Sequence, residues 1–222
     1  MSQAPGGFQL LLNKYAIKTP GKRLLVLPTH SLALAVAAEW EWQDKGKPQM
    51  HSMPLMSLAA TALDQPKPRD KVVETLLKYI HTDTTCCRVE HGKLATRQAQ
   101  THDPLLTWAH TALGWQMTTD ASIYGPTQID GTVQAARTWL EGLDHWNLAV
   151  VEQLTQTCKS LVIAAALSHG HMSIRDAVRA SRLEEDVQME EWGAVEAGHD
   201  LDIVDVYSRV AAPSLFLRLL ER

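Results

Sequence analysis

The sequence predicts an α+β protein: a small N-terminal antiparallel β element with helices, followed by a mostly α-helical C-terminal domain. Three observations carry this. Short apolar runs at residues 8–12 and 23–27 are separated by Pro20 and Gly21, which is the pattern of short strands joined by a turn. Residues 69–82 place Val72, Val73, Leu76, Leu77 and Ile80 at helical spacing on one face. From Gly131 to the C-terminus, apolar residues recur at three and four, with no run that alternates like a strand.

The N-terminal strands are too few to be stable alone, so they must lean on a helix. That helix follows directly: Thr29 or Ser31 is placed to cap a segment running through Leu32, Ala35, Val36, Glu39 and Trp40, with Gly46 and Pro48 as its stop. Trp40 lies on the apolar stripe and reads as a core anchor, because an indole buries a large area. Residues 54–63 form a second short helix, bounded by Asp64, Pro66 and Pro68. The domain boundary is expected here, giving an N-terminal domain of residues 1–64 and a C-terminal domain of residues 65–222.

After the amphipathic helix, residues 82–89 look extended. Asp103-Pro104 then has the form of a cap followed by a first-turn proline, so a helix through Leu105, Leu106, Ala109 and Leu113 is expected to start there and end at Gly114. Residues 115–124 again look extended. One long helix is expected through Leu148, Val151, Leu154, Cys158, Leu161, Val162 and Ala165, apolar enough to be the centre of a bundle, and residues 207–220 form a last apolar helix that Pro213 breaks or bends.

Composition bounds the function. The 222 residues are 45% hydrophobic and 21% charged, with a formal net charge of −4, so the chain is globular and has no basic surplus for nucleic acid. Cys86, Cys87 and Cys158 do not make a disulfide framework, which points to a reducing compartment. The longest apolar run, residues 161–167, is much shorter than the roughly 20 residues of a membrane span. No leader precedes Phe8, so either a presequence has been removed or none is needed.

The stretch with the most chemistry is residues 173–205. Ser173 and Asp176 have capping-box spacing, and Ile174, Ala177, Val178 and Ser181 make a narrow packed face. Nine acidic residues then lie between Glu184 and Asp205 with no Lys or Arg among them, so this helical segment should pack by one edge and offer an acidic face to a basic partner surface. The competing reading is a solvated acidic helix, or a Glu184 tied up by Arg182 or Arg179.

Read in order, Ser181-Arg182-Leu183-Glu184-Glu185, Gln188, Trp192-Gly193, Val195-Glu196 and His199-Asp200 closely resemble the signature of the mitochondrial ATP synthase assembly chaperones, the ATP12 chaperone family. The resemblance continues in residues 32–40, in Thr82-Asp83-Thr84 with Arg88-Val89-Glu90, in Asp103-Pro104-Leu105-Leu106 with Trp108-Ala109, and in Ser122-Ile123 with Gly125-Pro126. It spans the chain from about Gly7 onward. Cys87 and Ala197 stand where such proteins often carry an aromatic, and a strand that precedes the one at Phe8 in the family is expected to be missing.

The resemblance implies a non-enzymatic chaperone, a monomer without cofactor or metal, acting in the mitochondrial matrix or, for an alphaproteobacterial relative, the cytoplasm. It implies a transient partner, the unassembled alpha subunit of the ATP synthase head. Glu184 would be the critical carboxylate, with Glu185, Gln188, Trp192, Glu196 and Asp200 in the same partner-binding patch, and Trp40, Asp83 and Arg88 in structural roles. The alternative is a metal-dependent phosphohydrolase built on His199-Asp200. That chemistry needs further ligands converging on a metal, and His169 and His171 flank Gly170 without the spacing of a ligand pair.

Overall fold

The computed structural model describes residues 1–44, 48–122, 124–193 and 199–221. It has the expected order of a small N-terminal antiparallel β element followed by helices.

By contacts the chain divides into two compact units. The first comprises Met1–Pro68, Asp144–Val150 and Ala212–Arg222; the second comprises Arg69–Leu143 and Val151–Ala211. In the first unit, β1 (Ser2–Ala4), β2 (Gly7–Gln9) and β5 (Val26–Leu27) form an antiparallel sheet in the order β1-β2-β5, while β3 (Leu11–Leu12) and β4 (Tyr15–Ala16) form a separate pair. The strand before Phe8 is therefore present, against expectation. Pro5 and Gly6 turn the chain between Ala4 and Gly7, with Gly6 at φ +86°, a conformation that glycine adopts without strain. Gly7 is required for a different reason: a Cβ there would lie 2.1 Å from the Leu27 carbonyl oxygen, so β5 can approach β2 only over a bare backbone.

Helix α1 (His30–Glu41) starts where Thr29 Oγ1 accepts from the Leu32 amide at 3.2 Å, and buries Leu32, Ala33 and Val36. It ends at Glu41, and the proposed stop at Gly46 lies outside the described residues. Helix α2 (Pro54–Asp64) follows a 3-10 turn at Met50–Ser52 and is held to α1 by the Glu39 carboxylate, which accepts from the Leu55 and Met56 amides, both at 2.8 Å. Those are the orphan first-turn donors of α2, so Glu39 serves as its cap across space. The end of the chain joins this unit: the Thr29 hydroxyl donates to the Leu219 carbonyl at 2.5 Å, and Phe216 packs near Trp146.

In the second unit, α3 (Arg69–His81) buries the five residues that its periodicity marked. Residues 82–89 are a turn rather than a strand, with a single bridge between Cys87 and Asp120. Helix α4 (Lys93–Leu113) begins eleven residues before the expected start, and Pro104 sits inside it. Asp103 is not its cap, because that carboxylate accepts from Arg88 at 2.7 Å. Helix α5 (Asp130–Gly142) buries Thr132, Ala136 and Leu140.

The expected long apolar helix is two helices, α6 (His145–Cys158) and α7 (Leu161–Ser168). Lys159 takes the left-handed conformation at φ +52°, and Ser160 then caps α7 by accepting from the Ile163 amide at 3.0 Å. Residues 161–167 are all buried, making α7 the core of the unit against α3, α4 and α8 (Ile174–Ser181). The acidic stretch is likewise divided. Helix α9 (Leu183–Trp192) follows α8 after Arg182, and α10 (His199–Leu220) runs unbroken through Pro213.

Candidate functional site

Helix α9 packs on α4, and some of its acidic side chains are paired with cations of the same chain. Glu190 is one: it accepts from Lys93 Nζ at 2.5 Å and from an Arg97 guanidinium nitrogen at 2.7 Å, and these two cations hold its carboxyl down at about 2. Asp186 and Asp202 both face Arg182, the former at 3.8 Å. Arg182 is buried, and its Nε and second terminal nitrogen have no hydrogen-bond partner, so the two carboxylates are the compensation for a charge taken out of water. Burial raises the Asp186 carboxyl, Arg182 opposes that, and the neighbouring Glu185 and Glu190 add to the rise.

Glu185 has only a long contact to Lys159 Nζ at 3.7 Å, between two solvent-facing side chains. Glu184 differs from all of these. Its Oε1 accepts from the side-chain amide of Gln98 at 3.0 Å, and Gln98 is fully buried on α4, where it also donates to the Cys87 carbonyl and accepts from the Val89 amide. The expected rivals for Glu184, Arg182 and Arg179, are not its partners among the described contacts; a neutral amide is. Its negative charge is positioned but not cancelled.

Gln188 and Trp192 continue from Glu184 at four-residue steps, which aligns all three along one edge of α9. Gln188 is exposed and Trp192 is 78% exposed, so the indole is not a core residue. Asp200, in the first turn of α10, is exposed too. Glu196 and the side chain of His199 lie outside the described residues.

The three residues expected to be structural occupy distinct settings. Asp83 is completely buried: Oδ1 accepts from the Thr85 amide at 3.0 Å and its hydroxyl at 2.7 Å, and Oδ2 accepts from the Leu161 and Val162 amides at 2.8 and 3.2 Å. It thereby anchors the 82–89 turn to the start of α7. Burial pushes its carboxyl up, and hydrogen bonds from Ser160, Thr85 and Val162 pull it back. Arg88 spans from the Thr85 carbonyl to Asp103, tying the same turn to α4. Trp40 is half-buried on α1, its indole N–H without a hydrogen-bond partner.

Gln98, His102 and Asp202 were not singled out by the sequence, and no short motif marks them; Arg182 was, but as a partner of Glu184, whereas it faces Asp186 and Asp202. His102 is buried on α4 with Nε2 3.1 Å from the Ala180 carbonyl, and burial lowers it to about 4. His169 and His171 pack with Trp108, the His171 ring stacked at 4.7 Å and the His169 ring edge-on at 5.6 Å. Among the described residues, no three His, Cys, Asp or Glu side chains come together as metal ligands.

The α9 edge thus carries a carboxylate held by a neutral amide and, two turns further on, an indole in solvent. Residues 1–110 match the model of the ATP12 chaperone family, described as "ATP12 chaperone protein". The chain is 27% identical over 218 residues to Protein atp12, mitochondrial, of Schizosaccharomyces pombe, covering 92% of this chain and 75% of that protein. Its fold superposes on Atp12 from Paracoccus denitrificans with a TM-score of 0.90 at 28% identity, covering 99% of this chain and 94% of the other. A putative chaperone from Agrobacterium tumefaciens matches with a TM-score of 0.88 at 28% identity, covering 97% and 81%. No helix among the described residues is long and apolar enough to cross a membrane.

Proposed function

We propose that this chain is a transient chaperone for the unassembled alpha subunit of the ATP synthase catalytic head, and that it shields the alpha surface that later meets beta until beta replaces it. A subunit awaiting its partner exposes an apolar interface that aggregates unless it is covered. A cover must be displaceable, which favours a contact with polar elements over one that is wholly apolar. The proposed compartment is the one in which alpha is assembled: the mitochondrial matrix or, in an alphaproteobacterium, the cytoplasm. No reaction is assigned to the chain, and it is proposed to act as a monomer.

The observation that carries this reading is the α9 edge Glu184, Gln188 and Trp192, where one carboxylate is held by an amide instead of a cation and the indole is left in solvent. A partly desolvated carboxylate of this kind is placed to meet a basic residue of the client, guiding encounter and register, while an aromatic side chain contributes affinity. Glu185, Glu196 and Asp200 belong to the same proposed patch, with Glu185 the weakest contributor because of its contact with Lys159.

The test is aggregation of purified alpha subunit followed by light scattering, with this protein added in increasing amounts. Suppression near one equivalent supports the reading. Aggregation that proceeds at the unprotected rate at tenfold excess contradicts it.

A further inference from the structure

The first half of α10 carries an outward apolar stripe that nothing in its own compact unit covers. Leu201 is 70% exposed and Val204 63%, while Tyr207 lies about 120° from Leu201 around the helix, outside this stripe. At about 100° per residue, Ser208 lies about 20° from Leu201 around the helix and Val204 about 60°, whereas the buried Val210 lies about 180° away. The stripe therefore points opposite to the packed face. Acidic side chains flank it on both sides: Asp200 about 100° to one side, and Asp205 and Asp202 about 40° and 100° to the other. Asp202 faces Arg182 and Asp205 approaches Arg209 at 3.4 Å, and both carboxylates remain more than half exposed.

We infer that this stripe is an apolar anchor for the client, and that the surface it fits is an apolar patch rimmed by Lys and Arg. The inference rests on the chaperone reading above and supplies the apolar residues that reading lacks. Charge selects the occupant. A second copy of this chain would bring the same acidic flanks against each other, and an anionic lipid surface would meet three carboxylates and a net charge of −4. A patch with basic flanks meets neither obstacle, and exposed Leu201 and Val204 at the centre of such a rim have the arrangement of interface anchors.

The experiment uses the full chain with purified alpha subunit. Wild type and the double variant Leu201→Ser/Val204→Ser are compared for affinity by titration and for mass by size-exclusion chromatography with light scattering. Because both side chains face solvent, the variant is expected to melt with the wild type, and to bind alpha about tenfold more weakly or worse. Wild-type affinity in the variant overturns the stripe as an anchor while leaving the chaperone reading intact. Absence of binding by the wild type overturns the chaperone reading itself. A wild-type dimer that the variant abolishes would make the stripe a self-association surface and likewise overturn the inference. A photocrosslinking residue at position 204 provides a check that does not depend on the variant's folding: labelling of alpha supports the anchor, and labelling confined to a second copy contradicts it.

Discussion

Gln98 and Glu184 meet at 3.0 Å, a buried amide on α4 holding a carboxylate at the start of α9. Six residues further along the same helix, Glu190 is held by two cations. The contrast is between a carboxylate paired with two cations and one held by a neutral amide.

Glu184→Lys should lose protection of the alpha subunit while costing no more than about 1.5–3 kcal/mol of stability, the net worth of one hydrogen bond to a charged group, because Gln98 keeps its contacts to Cys87 and Val89. Glu184→Gln should retain the fold and weaken binding less. Glu190→Gln should leave client binding near wild type, since its charge is already compensated. Aggregation assays alongside thermal melting separate the three; a large drop in melting temperature for Glu184→Lys would assign Glu184 to the fold instead.

Asp83→Ala should be among the most damaging single changes. It removes the acceptor for the Thr85, Leu161 and Val162 amides in a site without solvent, and the cost expected is about 3–5 kcal/mol. Urea denaturation would show it as a lower midpoint. A midpoint within the error of wild type would mean that these amides find other partners.

His102 makes stability depend on pH. The unfolded chain binds a proton near pH 6.5 and the folded chain only near about 4, because burial first, and Arg88 nearby, disfavour the charged ring. The unfolded state therefore holds more protons in that window. Stability is complete above the unfolded value and falls as pH drops through it toward about 4, by up to about 3 kcal/mol. His102→Gln should flatten the curve between pH 6.5 and 4.5, and an unchanged slope would assign the acid sensitivity to other groups.

Lys159 holds a left-handed conformation between α6 and α7. Lys159→Gly should be neutral or stabilising by up to about 1 kcal/mol, while Lys159→Pro, whose ring cannot reach φ +52°, should destabilise by about 3 kcal/mol or more. Comparison of the two melting curves checks this. Equal effects would contradict the role given to that residue.

The elements with apolar periodicity were legible in the sequence, and those held by polar contacts were not. Helix α3 and the cap at Ser173 follow from spacing and residue type alone, while the α1 cap, open between Thr29 and Ser31 in the sequence, is Thr29. The break between α6 and α7 was hidden because Leu154, Cys158, Leu161 and Ala165 keep helical spacing across it, and only Ser160, three residues before Ile163, marks the new start. The first half of α4 was hidden because it buries Gln98 and His102 in place of a hydrophobic stripe, while Asp103-Pro104 imitated a helix start. Strand β1 has no apolar run, and its one signal was the Pro5-Gly6 turn. Of the candidate site, the residue types on α9 were readable. Which carboxylates are neutralised was not, since Lys93, Arg97 and Gln98 reach them from about ninety residues away in sequence.

The central claim is that the α9 edge receives a subunit awaiting assembly and gives it up when the head forms. Immobilised protein should be offered free alpha subunit and, separately, the assembled catalytic head, and beta subunit should then be added to the alpha-loaded sample. The account predicts capture of free alpha, no capture of the assembled head, and release of alpha by beta, with Glu184→Lys failing at the first step. Equal capture of the assembled head, or retention of alpha against excess beta, would contradict it.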